Sequence, residues 1–125
     1  MIPIRRPHAY ASLGVRVALL PYQNRVSLDG RAGRDLTAYP FEAAFAMRGG
    51  MDETTALRSI TLEPARILGI EKRVGSLEAG KDADVVIWSG HPLHYRSFAK
   101  TVWINGKVYY ERQKSRLYRD IPTRS

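Results

Sequence analysis

The sequence predicts an α+β fold in which a layer of short helices precedes a small β-sheet. From Pro40 to Gly69, apolar residues recur at helical spacing between residues that begin and end helices. Val85–Trp88 is a run of strand-forming residues that is apolar at every position. Asn105-Gly106 lies between two runs of strand-forming residues and is the strongest short signal for a β-hairpin. We therefore expect helices first and strands afterwards.

Length and composition indicate a globular chain. With 125 residues, 44% of them hydrophobic and 26% charged, it is long enough for one domain with its own core. No apolar run approaches the roughly 20 residues of a membrane-spanning helix. The lack of cysteine excludes disulfides and thiolate metal sites. No apolar segment of a signal peptide follows the basic N-terminus, so we expect a cytoplasmic protein unless an upstream signal peptide has been lost.

The formal charge of +8 is concentrated at the two ends of the chain. Residues 1–34 contain six arginines and one aspartate, and residues 112–125 contain five basic groups and one acidic group. The middle, residues 35–111, is nearly neutral, with nine basic and ten acidic groups. Basic ends can bind phosphates through a salt-dependent term, but they are more often simply solvated, and we expect solvation here.

The first predicted element is a buried strand from Gly14 to Leu20. Residues 1–12 contain two prolines and no hydrophobic period, which predicts an irregular lead-in. Gly14–Leu20 is mostly apolar, includes β-branched residues and is closed by Pro21, which is typical of a buried strand.

Three helices are expected next. Pro40 suits the first turn of a helix that Gly49-Gly50 ends. Asp52 is a good N-cap for a second helix. The third begins near Thr61 and ends at Gly69 in a left-handed cap. One side of the first of these helices carries apolar residues, and their helical spacing favours core packing over a ligand pocket. They are Phe41, Ala44, Phe45 and Met47.

Glycine-rich turn chemistry from Gly75 to Gly80 leads into the strand Val85–Trp88, which needs cover on both faces. Asp82 and Asp84 precede this strand, and a turn or cap role is favoured for them over metal binding. His91 and His94 lack a third histidine or a cysteine nearby, and the intervening proline prevents a regular helix. We therefore expect no metal site there.

A hairpin and a basic tail complete the chain. Thr101–Ile104 and Lys107–Tyr110 flank Asn105-Gly106, whose type I′ turn requires positive φ at both central residues. The tail, residues 113–125, mixes basic and apolar residues and suits a short helix or an extended arm.

The segment from Thr61 to Asp84 resembles the C-terminal signature of the amidohydrolase superfamily. These metal-dependent hydrolases of C–N bonds include imidazolonepropionases, dihydroorotases, adenine deaminases and prolidase-like enzymes. The resemblance spans roughly Gly14 to Tyr118. The matching positions are Thr61, Pro64, Ala65, Leu68, Gly69, Gly75, Ser76, Leu77, Gly80, Lys81, Ala83 and Asp84. We expect structural roles for these motif positions and for the hairpin turn: Thr61, Pro64, Gly69, Gly75, Gly80, Lys81, Asp84, Asn105 and Gly106.

For the fold, the resemblance implies the last βα unit of a TIM-like barrel with a helical layer, followed by strands of the family's composite β-sandwich. A whole barrel takes about 250 residues, so the barrel here is incomplete. The implied organisation is residues 1–70 for the terminal barrel strand and helices, residues 71–112 for the sandwich strands, and residues 113–125 for the basic tail.

For the site, the resemblance implies zinc or another divalent metal in the full-length family. Its ligands are an H-x-H pair, a bridging lysine or glutamate, two further histidines and an aspartate at the end of the last strand. None of His8, His91 and His94 lies in such a pair. Residues 19–24 occupy the expected place of this aspartate, and the first carboxylate after them is that of Asp29. Whether Asp29 or Asp35 replaces the missing aspartate stays open. The residues there are candidates only for a substrate loop: Tyr22, Gln23 and Asn24.

We therefore expect no catalytic residue, metal site or cofactor within this chain. The implied function is that of a C-terminal fragment or subunit of a hydrolase acting on non-peptide C–N bonds in a cyclic amide, imine or dipeptide-like small molecule. Its expected partner is the missing N-terminal part of the enzyme or a second copy of itself, not a membrane. The alternative is a non-catalytic basic module that contacts nucleic acid or a partner protein, with Tyr109, Tyr110 and Tyr118 beside Arg112 and Arg116 as a stacking surface.

Overall fold

A computed structural model describes residues 6–19, 39–116 and 118 of the chain. It divides the chain into two units, Met1–Ser76 and Leu77–Ser125. The predicted division into residues 1–70, 71–112 and 113–125 stays a prediction. The elements are α1 (Arg6–Ser12), α2 (Tyr39–Arg48), α3 (Glu53–Ser59), α4 (Leu62–Ile67), β1 (Val85–Trp88), β2 (Ala99–Ile104), β3 (Lys107–Glu111) and a 3-10 helix (Arg112–Lys114). The predicted α+β class is confirmed. None of the described helices is long and apolar enough to cross a membrane.

The N-terminal lead-in contains a helix, so the expectation of irregular structure through residue 12 is wrong. Pro7 is the second residue of α1, where its missing N–H costs no helical hydrogen bond. The Ser12 hydroxyl donates to the Ala9 carbonyl at 2.8 Å. Gly14, at φ 76°, follows the end of the helix.

The predicted buried strand from Gly14 to Leu20 is also wrong for the residues that are described. Residues 15–19 form no regular element, and the Val15 side chain is 52% exposed. The Leu19 N–H donates to the Ser59 carbonyl at 3.0 Å instead of joining a ladder. A strand exists only through pairing, and within the described ranges no second strand lies beside this segment.

The N-terminal unit buries small residues. Helix α2 packs against α3, and α3 packs against α4. Ala43 and Ala46 are the buried residues of α2, whereas Phe41 is 43% and Phe45 54% exposed. The assignment of these two phenylalanines to the core is therefore wrong. Helical spacing gives a period but not the face that is buried, and here the buried residues are Ala43 and Ala46.

The helix ends follow the predicted capping chemistry. The Asp52 Oδ1 accepts a hydrogen bond from the Thr55 N–H at 2.9 Å at the start of α3. After α4, Gly69 has φ 72°. The Ile70 N–H donates to the Ala65 carbonyl at 2.9 Å, and the Gly69 N–H donates to the Arg66 carbonyl at 3.2 Å. This pair of bonds is the Schellman motif that a left-handed glycine makes possible.

The C-terminal unit contains an antiparallel sheet in the order β1-β2-β3. Asn105 and Gly106 connect β2 to β3 with φ of 50° and 74°, the positive values of a type I′ turn. Strand β1 lies at one edge of the sheet, and its central residues Val86 and Ile87 are 40% and 47% exposed. The cover that this strand was expected to need on both faces is not supplied by the part of the chain that is described.

Neither unit has a core of large side chains. The buried hydrophobic residues of the described part are Ala43, Ala46, Met51, Ala56, Ala65 and Leu93. Its largest fully buried side chain is that of Ser59. A globular chain of this length normally buries many leucine, isoleucine, valine and phenylalanine side chains. The expectation of one domain with its own core is therefore wrong for the described residues.

Candidate functional site

The first half of the sequence motif, from Thr61 to Gly75, packs tightly within the N-terminal unit and forms the motif joint. Gly75 has φ 95°, and a Cβ there would lie 2.9 Å from the Ala65 Cβ, 3.0 Å from the Leu62 Cα and 3.1 Å from the Thr61 carbonyl oxygen. These distances are too short for any side chain, and two of the three atoms belong to the backbone. The spacing between Thr61, Ala65 and Gly75 is thus explained by close packing of a turn on α4.

An ion-pair network at α4 adds to this joint. The Glu63 carboxylate is only 15% exposed, and its Oε1 accepts from an Arg66 guanidinium nitrogen at 2.8 Å. The same oxygen lies 3.4 Å from an Arg58 nitrogen on α3. Thr61 forms no side-chain cap of α4, because its hydroxyl donates to the Leu57 carbonyl at 2.8 Å. The Glu63–Arg66 pair lies within α4, and the other two contacts join α3 to the start of α4.

The second half of the motif connects the entry of β1 to the hairpin. The Lys81 Nζ pairs with the Glu78 Oε1 at 3.0 Å, and the Lys81 side chain is 11% exposed. The Asp84 Oδ1 accepts a hydrogen bond from the Asn105 N–H at 2.8 Å. The Gly106 N–H donates to the Ala83 carbonyl at 2.9 Å. The carboxylate of Asp84 therefore holds a turn rather than facing a substrate.

The histidines are used in local contacts. The His91 Nδ1 accepts from the Leu93 N–H, and the His94 Nδ1 accepts from the Arg96 N–H, both at 3.3 Å. The His94 ring stacks on Tyr95 with centroids 5.1 Å apart. The imidazole of His8 lies near Gly50, whose added Cβ would be 3.5 Å from the ring.

No group of three or more His, Cys, Asp or Glu side chains comes together among residues 6–19, 39–116 and 118. These residues therefore do not fit the divalent metal implied by the family resemblance. The predicted substrate-loop candidates and the open alternatives for the missing aspartate lie outside the described residues: Tyr22, Gln23, Asn24, Asp29 and Asp35.

Among the described residues, Tyr39 and Asp52 have shifted pKa values, and neither group is suited to proton transfer near neutral pH. Hydrogen bonds from Thr55 lower the pKa of Asp52 below its usual value of 3.8, so the carboxylate stays charged. Burial raises the pKa of Tyr39 above its usual value of 10.0, so the phenol stays protonated.

A basic groove of about 660 Å³ lies in the C-terminal unit and was not predicted from the sequence. The loop after β1 forms one wall, and the start of β2 with the 3-10 helix forms the other. The Arg112 guanidinium lies 4.0 Å from the Phe98 ring centroid and 4.9 Å from that of Tyr118. Glu111 forms an ion pair with Lys114. The only sequence signal for this groove was the cluster of basic residues after β3.

Comparisons with known proteins agree with the motif. The model of the amidohydrolase family matches residues 24–109. An imidazolonepropionase of Symbiobacterium thermophilum is 38% identical over 94 residues, which are 74% of this chain and 20% of that protein. The curated relatives are matched over only 7% to 20% of their own length.

Two solved structures are also similar. The crystal structure of an amidohydrolase from Thermotoga maritima has a TM-score of 0.76 and 37% identity, covering 87% of this chain and 26% of that one. An adenosine deaminase from Xanthomonas campestris, solved with bound zinc, has a TM-score of 0.54 and 28% identity, covering 82% of this chain and 27% of that one. The resemblance inferred from the motif is confirmed, and this chain belongs to the amidohydrolase family.

Proposed function

We propose that this chain is the C-terminal, scaffolding part of a metal-dependent amidohydrolase that hydrolyses a non-peptide C–N bond. The observation that carries the proposal is the likeness to the Thermotoga maritima enzyme, with a TM-score of 0.76 over only 26% of that enzyme's chain. A segment of this size holds the motif joint and the sheet, while the greater part of such an enzyme lies elsewhere.

The exposed apolar surfaces support a scaffolding role. In the N-terminal unit, Phe41 and Phe45 are about half exposed on one side of α2, since they are one helical turn apart. In the C-terminal unit, Val86 and Ile87 are similarly exposed on opposite faces of β1. Covering a side chain of this size stabilises a protein by roughly 1.5–3 kcal/mol when burial is complete. The preceding part of the enzyme is the proposed cover for both surfaces.

The proposed substrate is a small molecule with a cyclic amide, imine or dipeptide-like C–N bond. Support comes from the relatives, which include an imidazolonepropionase and an adenosine deaminase with bound zinc. The described residues of this chain contribute stability to such an enzyme. Its metal ligands and its proton-transferring groups are assigned to the preceding part.

A graft into the Symbiobacterium thermophilum imidazolonepropionase tests the proposal. It concerns the segment at which the family presents an aspartate at the end of its last barrel strand. The graft replaces the matching part of that enzyme with residues 14–109 of this chain. We expect a folded enzyme with strongly reduced imidazolonepropionase activity, because residues 19–24 contain no carboxylate that could bind a metal or accept a proton.

Three further grafts serve as matched variants: Tyr22→Asp, Gln23→Asp and Asn24→Asp. The proposal expects one of them to restore both activity and zinc content, measured per folded protein. Full activity in the unmodified graft would show that this chain supplies the missing group itself, through Asp29, Asp35 or another residue. A graft that folds but is not restored by any of the three would show that the defect lies elsewhere in the segment.

A further inference from the structure

We propose that the basic groove of the C-terminal unit binds a small oxyanion carrying at least two phosphate-like groups, such as the diphosphate of a metabolite. The residues that line the groove lie between Ser89 and Lys114 and include none of the motif positions from Thr61 to Asp84. Its volume of about 660 Å³ falls within the range of roughly 300–1,000 Å³ that is typical of small-molecule pockets.

The charge of the groove favours an anion. Its lining includes four cationic side chains, those of Arg96, Lys100, Arg112 and Lys114, and one carboxylate, that of Glu111. Glu111 is paired with Lys114, so it compensates only one of the four. Among the described residues, no carboxylate forms an ion pair with Lys100 or Arg112. A concave surface with this excess of positive charge concentrates anions.

Arg112 is held in a way that suits oxyanion binding. Its guanidinium lies against the rings of Phe98 and Tyr118, at 4.0 and 4.9 Å from their centroids. Such ring contacts restrict the side chain, so less conformational entropy is lost when a ligand binds. Its Nε is buried and has no hydrogen-bond acceptor in the described structure. A buried donor without a partner is unfavourable, and an oxygen that reached it would remove this penalty.

Hydroxyl groups provide further donors. The Ser89 Oγ accepts a hydrogen bond from the Phe98 N–H at 3.0 Å, which leaves the Ser89 hydroxyl hydrogen able to donate to a ligand. Ser97 and Thr101 also line the groove. Gly90 brings its backbone close to this wall, since a Cβ there would lie 3.0 Å from the Ser97 Oγ. Several donors converging on one groove match the many acceptor oxygens of a diphosphate.

The arrangement favours a compact ligand over a nucleic-acid strand. The Arg96 Nε donates to the Tyr95 hydroxyl at 2.9 Å, so this guanidinium nitrogen is already engaged within the chain. On β3, Val108 and Tyr109 are exposed, 52% and 79%, beside the exposed Lys107, so this strand presents a mixed rather than a purely basic surface. Among the described residues, four cationic side chains line this one groove, which suits a compact anion.

The test is a titration of the 125-residue chain with pyrophosphate at low ionic strength. Calorimetry measures the affinity, and the NMR signals of the backbone amides of residues 97–101 and 111–114 show where the ligand binds. We expect saturable binding at one site. Lys100→Gln should weaken the affinity about tenfold, since one charge-assisted contact is lost. Arg112→Lys should weaken it by a similar factor, because a lysine keeps the charge but not the planar fork. Lys72→Gln, in the other unit, is the matched control and should leave the affinity unchanged.

Circular dichroism of each variant checks folding, and Lys100→Gln keeps the test valid if the Arg112 variant unfolds. Unchanged pyrophosphate affinity in Lys100→Gln would overturn the proposal, as would the absence of saturable binding to the native chain. A short single-stranded DNA and inorganic phosphate are titrated in parallel. Tighter binding of the DNA than of pyrophosphate would identify a nucleic-acid surface and would also overturn it, whereas weaker binding of monophosphate than of pyrophosphate supports a site for two phosphate groups.

Discussion

The Oδ1 of Asp84 accepts a hydrogen bond from the backbone N–H of Asn105 at 2.8 Å, joining residues 21 positions apart. Asp84 immediately precedes β1, and Asn105 is the first residue of the turn between β2 and β3. The neighbouring Ala83 carbonyl accepts from the Gly106 N–H at 2.9 Å. These two bonds fix the hairpin turn against the entry of the edge strand, which explains a structural role for the final aspartate of the motif.

Replacing Asp84 by alanine should therefore destabilise the C-terminal unit. The Asn105 N–H would lose its acceptor, and a hydrogen bond of this kind contributes about 1 kcal/mol. Thermal unfolding followed by circular dichroism measures the effect. Asp84→Asn, which keeps an acceptor oxygen, is the matched control and should lose less stability. Equal melting temperatures for native chain and Asp84→Ala would contradict this role.

Gly75→Ala, in the N-terminal unit, should cost more free energy of unfolding than Gly80→Ala does in the C-terminal unit. Both glycines have positive φ, 95° and 89°, so both substitutions carry a similar backbone penalty of roughly 1 kcal/mol. Only at Gly75 does the new Cβ meet other atoms, with the Leu62 Cα at 3.0 Å, whereas nothing lies within 4 Å at Gly80. Overpacking of this kind adds about 1–3 kcal/mol. Urea unfolding of the two variants gives the difference directly, and equal losses would disprove the steric explanation.

The stability supplied by Asp52 should depend on pH. Hydrogen bonds from Thr55 lower the pKa of this carboxyl in the folded state below its usual 3.8. A lowered folded pKa gives a contribution that is fully present above the unfolded value and is lost as the pH falls through the folded value. The stability difference between the native chain and Asp52→Asn should therefore be constant at neutral pH and change only in the acidic range below about 4. A difference that already changes between pH 6 and 8 would contradict this origin.

The isolated chain should self-associate through the edge strand β1. Val86 and Ile87 are 40% and 47% exposed, and an apolar edge strand is a template for pairing with another chain. Ile87→Lys should shift the sedimentation profile toward monomer at micromolar concentration. Leu13→Lys is the control, since Leu13 is 78% exposed but lies in the other unit, outside the sheet. A compact monomer for the native chain, or equal profiles for all three proteins, would show that β1 is not the site of association.

Sequence reasoning succeeded where structure is decided by neighbouring residues. The cap at Asp52, the left-handed end at Gly69 and the turn at Asn105-Gly106 each depend on a few adjacent positions. The same holds for the long compound motif, whose positions are specific enough to indicate the family.

Sequence reasoning failed where the outcome depends on distant partners. Phe41 and Phe45 have helical spacing, but the buried residues of α2 are Ala43 and Ala46. Residues 15–19 have strand-forming composition, but no described segment of the chain pairs with them as a strand. The basic groove depends on the register of β2 and β3, which brings the loop residues 89–98 opposite residues 111–114. No local pattern encodes that juxtaposition.

The central claim is that the motif joint and the sheet are an interchangeable scaffold of an amidohydrolase. The most direct test replaces the matching segment of the Symbiobacterium thermophilum imidazolonepropionase with residues 61–109 of this chain and measures activity and zinc content per folded protein. This graft excludes residues 14–24, so the host keeps its own residues at the position where the family resemblance implies an aspartate. The claim predicts a folded, zinc-containing enzyme that keeps most of its activity. A graft that folds yet loses its zinc or its activity would contradict the claim, because residues 61–109 would then influence the catalytic centre directly.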